Sequence, residues 1–272
     1  MGSSDVQGEL WGRAPKDWVE LQESFSIPLW ESMLATTRIG EGSRFLDAGC
    51  GAGGASVLAQ RLGAVVAGLD ASEGLLDVAR QRIPDADFRL GDLEALPFAD
   101  GVFDAVFAAS SIQYADDPGN ATRELARVAK ADGRVAVGLF STPDKVEYRV
   151  VFEAIRNALP KPPNGSGPFA LSQPGTLEDL IESAGMAVTK VEEVDCPFIF
   201  PDMDAFWRGC ISAGPVQAAL EVINTSALRT RLEDVAAPYQ LPDGSIRFEV
   251  AFRYVAAHSL ANASEIAEVP GS

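Results

Sequence analysis

FLDAGCGAGG, at residues 45–54, is the stretch that decides the fold of this chain. A short apolar run leads through an acid into a turn dense in glycine, which is typical of a buried strand followed by a tight loop and a helix. From Gly49 to Gly54 the loop satisfies G-x-G-x-x-G, the fingerprint of loops that approach a dinucleotide pyrophosphate. Asp47 stands two residues before the first glycine and raises the question of which ligand the loop accepts.

Short apolar runs alternate with amphipathic ones from residue 43 onward. This pattern predicts an α/β fold with a Rossmann-like doubly wound sheet, mostly parallel with one antiparallel strand near the C-terminus, and a helical cap. The predicted strands of the first half are Arg44–Ala48, Ala64–Leu69, Ala86–Leu90, Val102–Ala108 and Arg134–Phe140. The predicted helices between them are Ala55–Arg61, Ser72–Gln81 with Ser72 as N-cap, and Asp117–Lys130.

In the second half of the chain the regular alternation of strands and helices is replaced by a less regular pattern. We expect a helix over 145–159, a loop rich in proline and glycine over 160–174, and a helix over 176–184 capped by Thr176. Residues 187–200 are mostly extended in pattern, and several helical stretches fill 202–239. The alternation from Ile246 to Ala256 predicts a single late strand.

Composition restricts the kinds of partner. The chain has 272 residues and a formal net charge of −17, from 39 acidic and 22 basic side chains. Such a field opposes nucleic-acid backbones and anionic membrane surfaces and favours small neutral or cationic ligands, although acidity that merely aids solubility is an equally good interpretation. Three unpaired cysteines, a start that does not read as a signal peptide and the lack of a long apolar run predict a cytoplasmic protein.

Two further acids follow the ends of the next two predicted strands. Asp70 lies about 20 residues after the glycine loop, where a carboxylate can accept both hydroxyls of a ribose. Asp92 follows the third strand, where it can accept a hydrogen bond from an exocyclic amine. Because ligands of open α/β sheets bind beyond the carboxyl ends of the strands, this spacing indicates a nucleoside.

Asp47 favours one nucleoside over another. Two unit charges about 4 Å apart interact by roughly 4 kcal/mol at an effective dielectric near 20. Beside a pyrophosphate this energy is repulsive, and residues 45–60 hold no Arg or Lys to offset it. Beside the ammonium and sulfonium of S-adenosylmethionine (SAM) it is attractive. In a second interpretation, Asp47 caps a helix or supports the loop without meeting the ligand.

Four segments resemble the class I SAM-dependent methyltransferases, in the branch similar to ubiquinone/menaquinone C-methyltransferases and bacterial small-molecule methyltransferases. They are FLDAGCGAGG at 45–54, GLDAS at 68–72, GDLEALPFADGVFDAVF at 91–107 and VAKADGRVAVGLF at 128–140. The resemblance implies SAM as cofactor and S-adenosylhomocysteine (SAH) as product. It places Gly49 and Gly51 at the methionine portion, Asp70 at the ribose, Asp92 and Leu93 at the adenine, and Ala71 and Ser72 near the adenine edge. Cys50 and Glu94 are further candidate cofactor-binding residues.

The segment WGRAPKDW, residues 11–18, resembles a helical flap over the cofactor in bacterial members. The resemblance implies that Arg13 pairs with the methionine carboxylate and that Trp11 and Trp18 close the pocket. The tryptophans can equally anchor the N-terminal arm on the core.

The loop after the fourth strand faces the reacting methyl group in this family. Ser110 and Gln113 are candidates for contacts with the cofactor's amino-acid end or the acceptor, and Tyr114 is the candidate catalytic residue that orients an acceptor or relays a proton. Packing of Tyr114 under the following helix is the alternative. His258, the one histidine, can act as a base only if the last strand brings it to the pocket. The loop lacks the Asn/Asp-Pro-Pro-aromatic motif, and no acidic set matches a catechol-type metal site, so we infer no metal.

We expect four parts: an N-terminal helical flap at 1–40, a SAM-binding core at 41–140, a C-terminal part of the core with an inserted acceptor cap at 141–258, and a flexible tail of small and polar residues at 259–272. The candidate cover of the acceptor, or else ordinary cap core, is an apolar set: Phe169, Phe198, Phe200, Met203, Phe206 and Trp207.

The expected function is methyl transfer from SAM to a small organic acceptor, in bacterial secondary metabolism, with no nucleic-acid or membrane partner. The sequence leaves open the acceptor, the atom methylated and whether a homodimer forms. An NAD-dependent oxidoreductase is one alternative, but it must explain Asp47, and Tyr114 is followed by Pro118 where a Tyr-x-x-x-Lys pair needs lysine. A SAM-binding protein without catalytic activity is the other.

Overall fold

The computed structural model describes residues 3–161 and 167–260. Residues 261–272 of the predicted tail lie outside the described residues, as do residues 162–166 of the loop rich in proline and glycine.

A seven-stranded sheet forms the centre of the fold. Its strands are β1 (Arg44–Ala48), β2 (Val65–Asp70), β3 (Asp87–Leu90), β4 (Phe103–Ala109), β5 (Ala129–Phe140), β6 (Met186–Asp195) and β9 (Ala251–Ser259). The order across the sheet is β3-β2-β1-β4-β5-β9-β6. The pairs among β1 to β5 are parallel, and β9 runs antiparallel to both β5 and β6. The predicted mostly parallel sheet with one antiparallel C-terminal strand is confirmed.

The strand order reverses between β1 and β4, so the loops that follow these two strands border a crevice. Successive residues of β1 face opposite sides of the sheet: Phe45 packs into one apolar layer and Leu46 into another. Helices cover both faces, so the central strands β1, β2 and β4 bury residues on both sides of the sheet.

Eleven α-helices fall within the described ranges. They are α1 (Ser3–Trp11), α2 (Pro15–Leu21), α3 (Ile27–Thr37), α4 (Gly54–Arg61), α5 (Glu73–Arg82), α6 (Pro118–Val128), α7 (Arg149–Ala158), α8 (Thr176–Ser183), α9 (Met203–Ile211), α10 (Gly214–Leu220) and α11 (Thr225–Ala236). Ser72 caps α5 as predicted, since its hydroxyl accepts the Leu75 N–H at 3.3 Å. In the part of the chain that the structure describes, no helix combines the length and apolarity needed to cross a bilayer.

The predicted cap of α8 was wrong. Thr176 is the first helical residue, and the N-cap is Gly175, whose φ of 90° suits a residue without a side chain. The Glu178 carboxylate accepts the Gly175 N–H at 3.1 Å and so satisfies the helix start.

The predicted single strand from Ile246 to Ala256 was also wrong. It is divided between β8 (Ile246–Phe248) and β9, and β8 pairs with β7 (Phe198–Phe200) in a separate two-stranded sheet. Apolar residues recur at every second position through both segments, although β9 is buried on both faces, so the pattern does not reveal the change of sheet.

Candidate active site

The glycine loop after β1 has two kinds of glycine. Gly49 has a φ of 82°, and a Cβ there would lie 2.3 Å from the Cβ of Ser111 in the loop after β4. Gly51 has a φ of 53°, but a Cβ there would meet nothing within 4 Å, because this residue borders an open cavity. Gly49 therefore lets two loops pack together, and Gly51 leaves space for a ligand.

Three N–H groups of this loop donate to protein acceptors. Those of Gly49 and Cys50 donate to the Leu69 carbonyl oxygen at 2.7 and 3.0 Å, and that of Gly51 donates to Asp70 Oδ2 at 2.8 Å. A dinucleotide-binding loop instead presents N–H groups to a pyrophosphate. Here a pyrophosphate would meet a carboxylate and N–H groups that already donate to the protein. This arrangement disfavours the alternative of an NAD-dependent oxidoreductase.

Asp70, at the end of β2, lies on the cavity wall. Its Oδ1 accepts the Ser72 N–H at 2.9 Å and its Oδ2 accepts that of Gly51. Burial raises the pKa of Asp70, and these backbone hydrogen bonds counteract part of the rise. Each carboxylate oxygen keeps a second lone pair for a ligand hydroxyl.

Asp47 does not line the cavity. It is 2% exposed behind the loop, and its Oδ2 accepts the Ser56 hydroxyl at 2.7 Å. Burial raises the pKa of Asp47 to about 7, and the Ser56 hydrogen bond counteracts part of that rise. This position fits the interpretation of Asp47 as an acid that supports the loop.

The wall next to Asp70 gathers several of the other predicted residues. Those that line the cavity are Trp18, Gly49, Cys50, Gly51, Ala71, Asp92, Leu93, Ser110 and Tyr114. Trp11, which also lines it, packs edge-on against Trp18 and Tyr114 with ring centroids 5.0 and 5.7 Å away. The α1–α2 segment thus contributes aromatic surface to the cavity.

Besides Asp47, four predicted cofactor residues do not line the cavity: Arg13, Ser72, Glu94 and Gln113. Arg13 instead forms ion pairs with Glu9 and Glu221, each at 2.6 Å. Ser72 is the cap of α5, and the Glu94 carboxylate accepts the N–H groups of Asp116 and Asp117 at 2.7 and 3.1 Å.

The loop after β4 is held in an unusual conformation. Ser110 has a φ of 55°, rare for a residue with a side chain, and its N–H donates to the Gly138 carbonyl at 2.7 Å. The Ser111 hydroxyl donates to the Ala48 carbonyl oxygen at 2.9 Å and joins the β4 loop to β1. Burial raises the pKa of Tyr114 to about 12, so its phenol is neutral near pH 7.

Sequence reasoning missed two groups of cavity residues. Glu23, which is 9% exposed, lies between α2 and α3 and pairs with Arg82 Nη1 at 2.7 Å. Arg82 also donates to the Ala52 carbonyl oxygen at 2.8 Å, which links the glycine loop to the N-terminal helices. An acid in an amphipathic helical stretch gives no signal that separates a cavity residue from a surface one.

The second missed group is an apolar set of lining residues, which we call the aromatic lobe. Its residues are Phe140, Tyr148, Val151, Phe152, Ile155, Phe198 and Phe252. Phe140 and Phe252, from the paired ends of β5 and β9, stack with centroids 4.5 Å apart. The α7 helix supplies Val151, Phe152 and Ile155 from one face.

Of the aromatic set predicted to cover an acceptor, only Phe198 lines the cavity. Phe200, Phe206 and Trp207 are buried core, Met203 packs against that core, and Phe169 contacts the rings of Phe140 and Phe152. His258 pairs with Arg134, at the end of the β5–β9 ladder remote from Phe140 and Phe252. The last strand therefore does not bring His258 to the pocket.

Known proteins support the assignment that this geometry suggests. Residues 46–137 match the family described as "Methyltransferase domain". A malonyl-[acyl-carrier protein] O-methyltransferase from Erwinia pyrifoliae is 30% identical over 232 residues, which cover 84% of this chain and 83% of the relative. The chain belongs to the class I SAM-dependent methyltransferases.

The other similarities of this methyltransferase are narrower. A demethylmenaquinone methyltransferase from Renibacterium salmoninarum is 39% identical over 143 residues, which are 52% of this chain and 59% of that protein. The crystal structure of the [4+2]-cyclase SpnF superposes with a TM-score of 0.57 at 18% identity, covering 86% of this chain and 81% of that one. At that identity the likeness shows the fold alone.

Proposed function

We propose that this methyltransferase binds SAM along the wall formed by the glycine loop, Asp70 and Asp92, and transfers its methyl group to a small organic acceptor in the aromatic lobe. One observation carries the proposal: a single cavity is lined both by the strand-end acids of β2 and β3 and by the aromatic lobe at β5 and β9, which lie beyond β1 and β4 in the sheet. The reacting groups of a cofactor and an acceptor can therefore meet within one cavity.

The residues on this wall fit SAM. The open space at Gly51 suits the methionine portion, since a side chain there would enter the cavity. Asp70 can accept the ribose hydroxyls, and Asp92 and Leu93 can hold the adenine. Trp18 packs over the same wall. Asp47, Ser72 and Glu94 then act by holding the loops that contact the cofactor.

Bound SAM supplies an electrophilic methyl group on a sulfonium. The chain contributes the negative charge of Asp70 on the same wall and an apolar lobe that keeps water away. Tyr114, with a pKa of about 12, suits an orienting hydrogen bond better than proton abstraction at neutral pH. We infer direct in-line displacement driven mainly by positioning.

The N-terminal helices are proposed as a flap and the segment after β5 as the acceptor cap. The presence of Trp11 and Trp18 in the cavity wall supports the first role, and the contribution of α7 to the aromatic lobe supports the second. A cytoplasmic role in bacterial secondary metabolism, without nucleic-acid partners, is proposed from the resemblance and the net charge of −17.

Detection of SAH by mass spectrometry tests the proposal. The protein is incubated with SAM and a panel of small phenols, enols, amines and carboxylic acids, with the Asp70→Asn variant as control. We expect acceptor-dependent SAH formation that the variant lacks. SAH binding without turnover on any acceptor would favour the non-catalytic alternative, and a fold shared with a [4+2]-cyclase makes this control necessary.

A further inference from the structure

In the part of the chain that the structure describes, the charged residues of the cavity wall are all acidic. Its acidic residues are Glu23, Asp70 and Asp92, and within residues 3–161 and 167–260 no Lys, Arg or His lines it. Arg82, which contacts the wall residue Glu23, is engaged in that ion pair, and Arg13 is engaged with Glu9 and Glu221. An anionic group on an acceptor would therefore enter this space without a counter-ion.

The side chains of the aromatic lobe are apolar or neutral, so they cannot neutralise a charged ligand. Phe140 stacks on Phe252, and Tyr148 packs edge-on against Phe152 and Phe198 with centroids 5.3 and 5.0 Å away. The Tyr148 hydroxyl lies 3.3 Å from Cys210 Sγ, and burial raises the pKa of both groups, so both are neutral. Burying an unpaired carboxylate or ammonium among such groups is strongly unfavourable, whereas burying apolar rings is favourable.

From this wall we infer that the acceptor is a neutral, largely apolar ring compound, and that molecules carrying a carboxylate or phosphate are rejected. This inference rests on the proposed function, because it assigns the aromatic lobe to the acceptor. The selectivity against acids results from the absence of a counter-ion, because none of the residues named above for the lobe is a cation that could pair with an acid. An ammonium is disfavoured for the complementary reason, since none of the residues named above for the aromatic lobe carries a carboxylate.

The two named relatives differ on this point. A malonyl group carries a carboxylate, whereas a demethylmenaquinone is a neutral ring compound. The aromatic lobe of this chain suits the chemistry of the second kind of acceptor, although only about half of the chain aligns with that relative.

Calorimetric titration of the SAH-loaded protein with three matched probes tests the inference. The probes are 2-naphthylmethanol, 2-naphthoate and 2-naphthylmethylammonium, which share one ring system and differ in charge. We expect the alcohol to bind at least about tenfold more tightly than either ion. Equal or tighter binding of an ion, or no saturable binding of the alcohol up to its solubility, would overturn the inference.

A pair of variants links the selectivity to the lobe. Phe152 is half-buried on α7, so it tolerates replacement better than the fully buried rings. Phe152→Arg adds a permanent cation and should reverse the preference toward 2-naphthoate, whereas Phe152→Met should keep the preference for the alcohol. An unchanged preference in Phe152→Arg would mean that the probes bind outside the lobe, which also contradicts the inference.

The loading step separates this inference from the proposed function. Failure of the protein to bind SAH contradicts the cofactor assignment, whatever the probes do. Binding of SAH with tighter binding of the naphthoate contradicts only the acceptor class.

Discussion

The contact between the two cavity loops gives the sharpest prediction. In Gly49→Ala the new Cβ would lie 2.3 Å from the Cβ and 2.9 Å from the hydroxyl oxygen of Ser111. Ser111 cannot move away freely, because it is buried and its hydroxyl donates to the Ala48 carbonyl oxygen at 2.9 Å. The φ of 82° adds a second penalty that is independent of Ser111.

The size of the effect follows from these two penalties. A left-handed conformation costs about 1–2 kcal/mol for a residue with a side chain. Overpacking a buried contact costs about 1–3 kcal/mol more. We therefore expect Gly49→Ala to lower the free energy of unfolding by about 2–5 kcal/mol.

A double-mutant cycle separates the two penalties. Ser111→Gly alone loses one hydrogen bond, worth about 1 kcal/mol. Because it also removes the clashing Cβ, the double variant should be more stable than the sum of the single losses by about 1–3 kcal/mol. Urea unfolding followed by circular dichroism measures all four free energies. Strict additivity would refute the claim that this contact dictates glycine at position 49.

Gly51→Ala is the matched control in the same loop. Its φ is also positive, but its Cβ would meet open space, so it should lose only about 1–2 kcal/mol and show no coupling to Ser111→Gly. Its methyl group would instead enter the cavity and weaken SAH binding by about tenfold or more. A Gly51→Ala variant that binds SAH normally would contradict the placement of the cofactor at this glycine.

Three other perturbations probe the surroundings of the cavity. Burial raises the pKa of Asp47 to about 7, so this residue contributes stability that is fully present below the unfolded-state pKa and is lost as the pH rises to 7. The free energy of unfolding should therefore fall between pH 4 and pH 8 in the parent, and it should fall by less in Asp47→Asn. Urea unfolding at both pH values measures this, and an equal fall in the two proteins would refute the prediction. Arg82→Met leaves the Glu23 carboxylate unpaired and should destabilise the fold by about 2 kcal/mol, with partial recovery on adding Glu23→Gln, as thermal unfolding can measure. Trp11→Leu removes the ring that packs on Trp18 and should speed SAH dissociation severalfold in stopped-flow fluorescence; an unchanged rate would mean that the flap does not retain the ligand.

Much of the fold could be predicted because its signals are local. The bounds of β1 were predicted without error, and Ser72 was identified as the cap of α5, since strand apolarity and capping chemistry are properties of neighbouring residues. The division of 246–259 between two sheets depends on which distant strand each segment pairs with, and alternation within the segment carries no information about that.

The candidate site also contains some residues that the sequence could predict and others that it could not. Asp70 and Asp92 were found because their spacing places them at neighbouring strand ends, and both lie on the cavity wall. Asp47 was expected to meet the ligand, but residue type and spacing do not state the direction of a side chain, and this one points to Ser56. Glu23 and the aromatic lobe come from segments far apart in the chain, so only the folded structure brings them together.

The most direct test of the cofactor assignment is calorimetric titration of the protein with SAH and, separately, with NADH. The account predicts saturable micromolar binding of SAH, at least about tenfold weaker in Asp70→Asn, and no binding of NADH. Binding of NADH, or SAH binding that Asp70→Asn leaves unchanged, would contradict it.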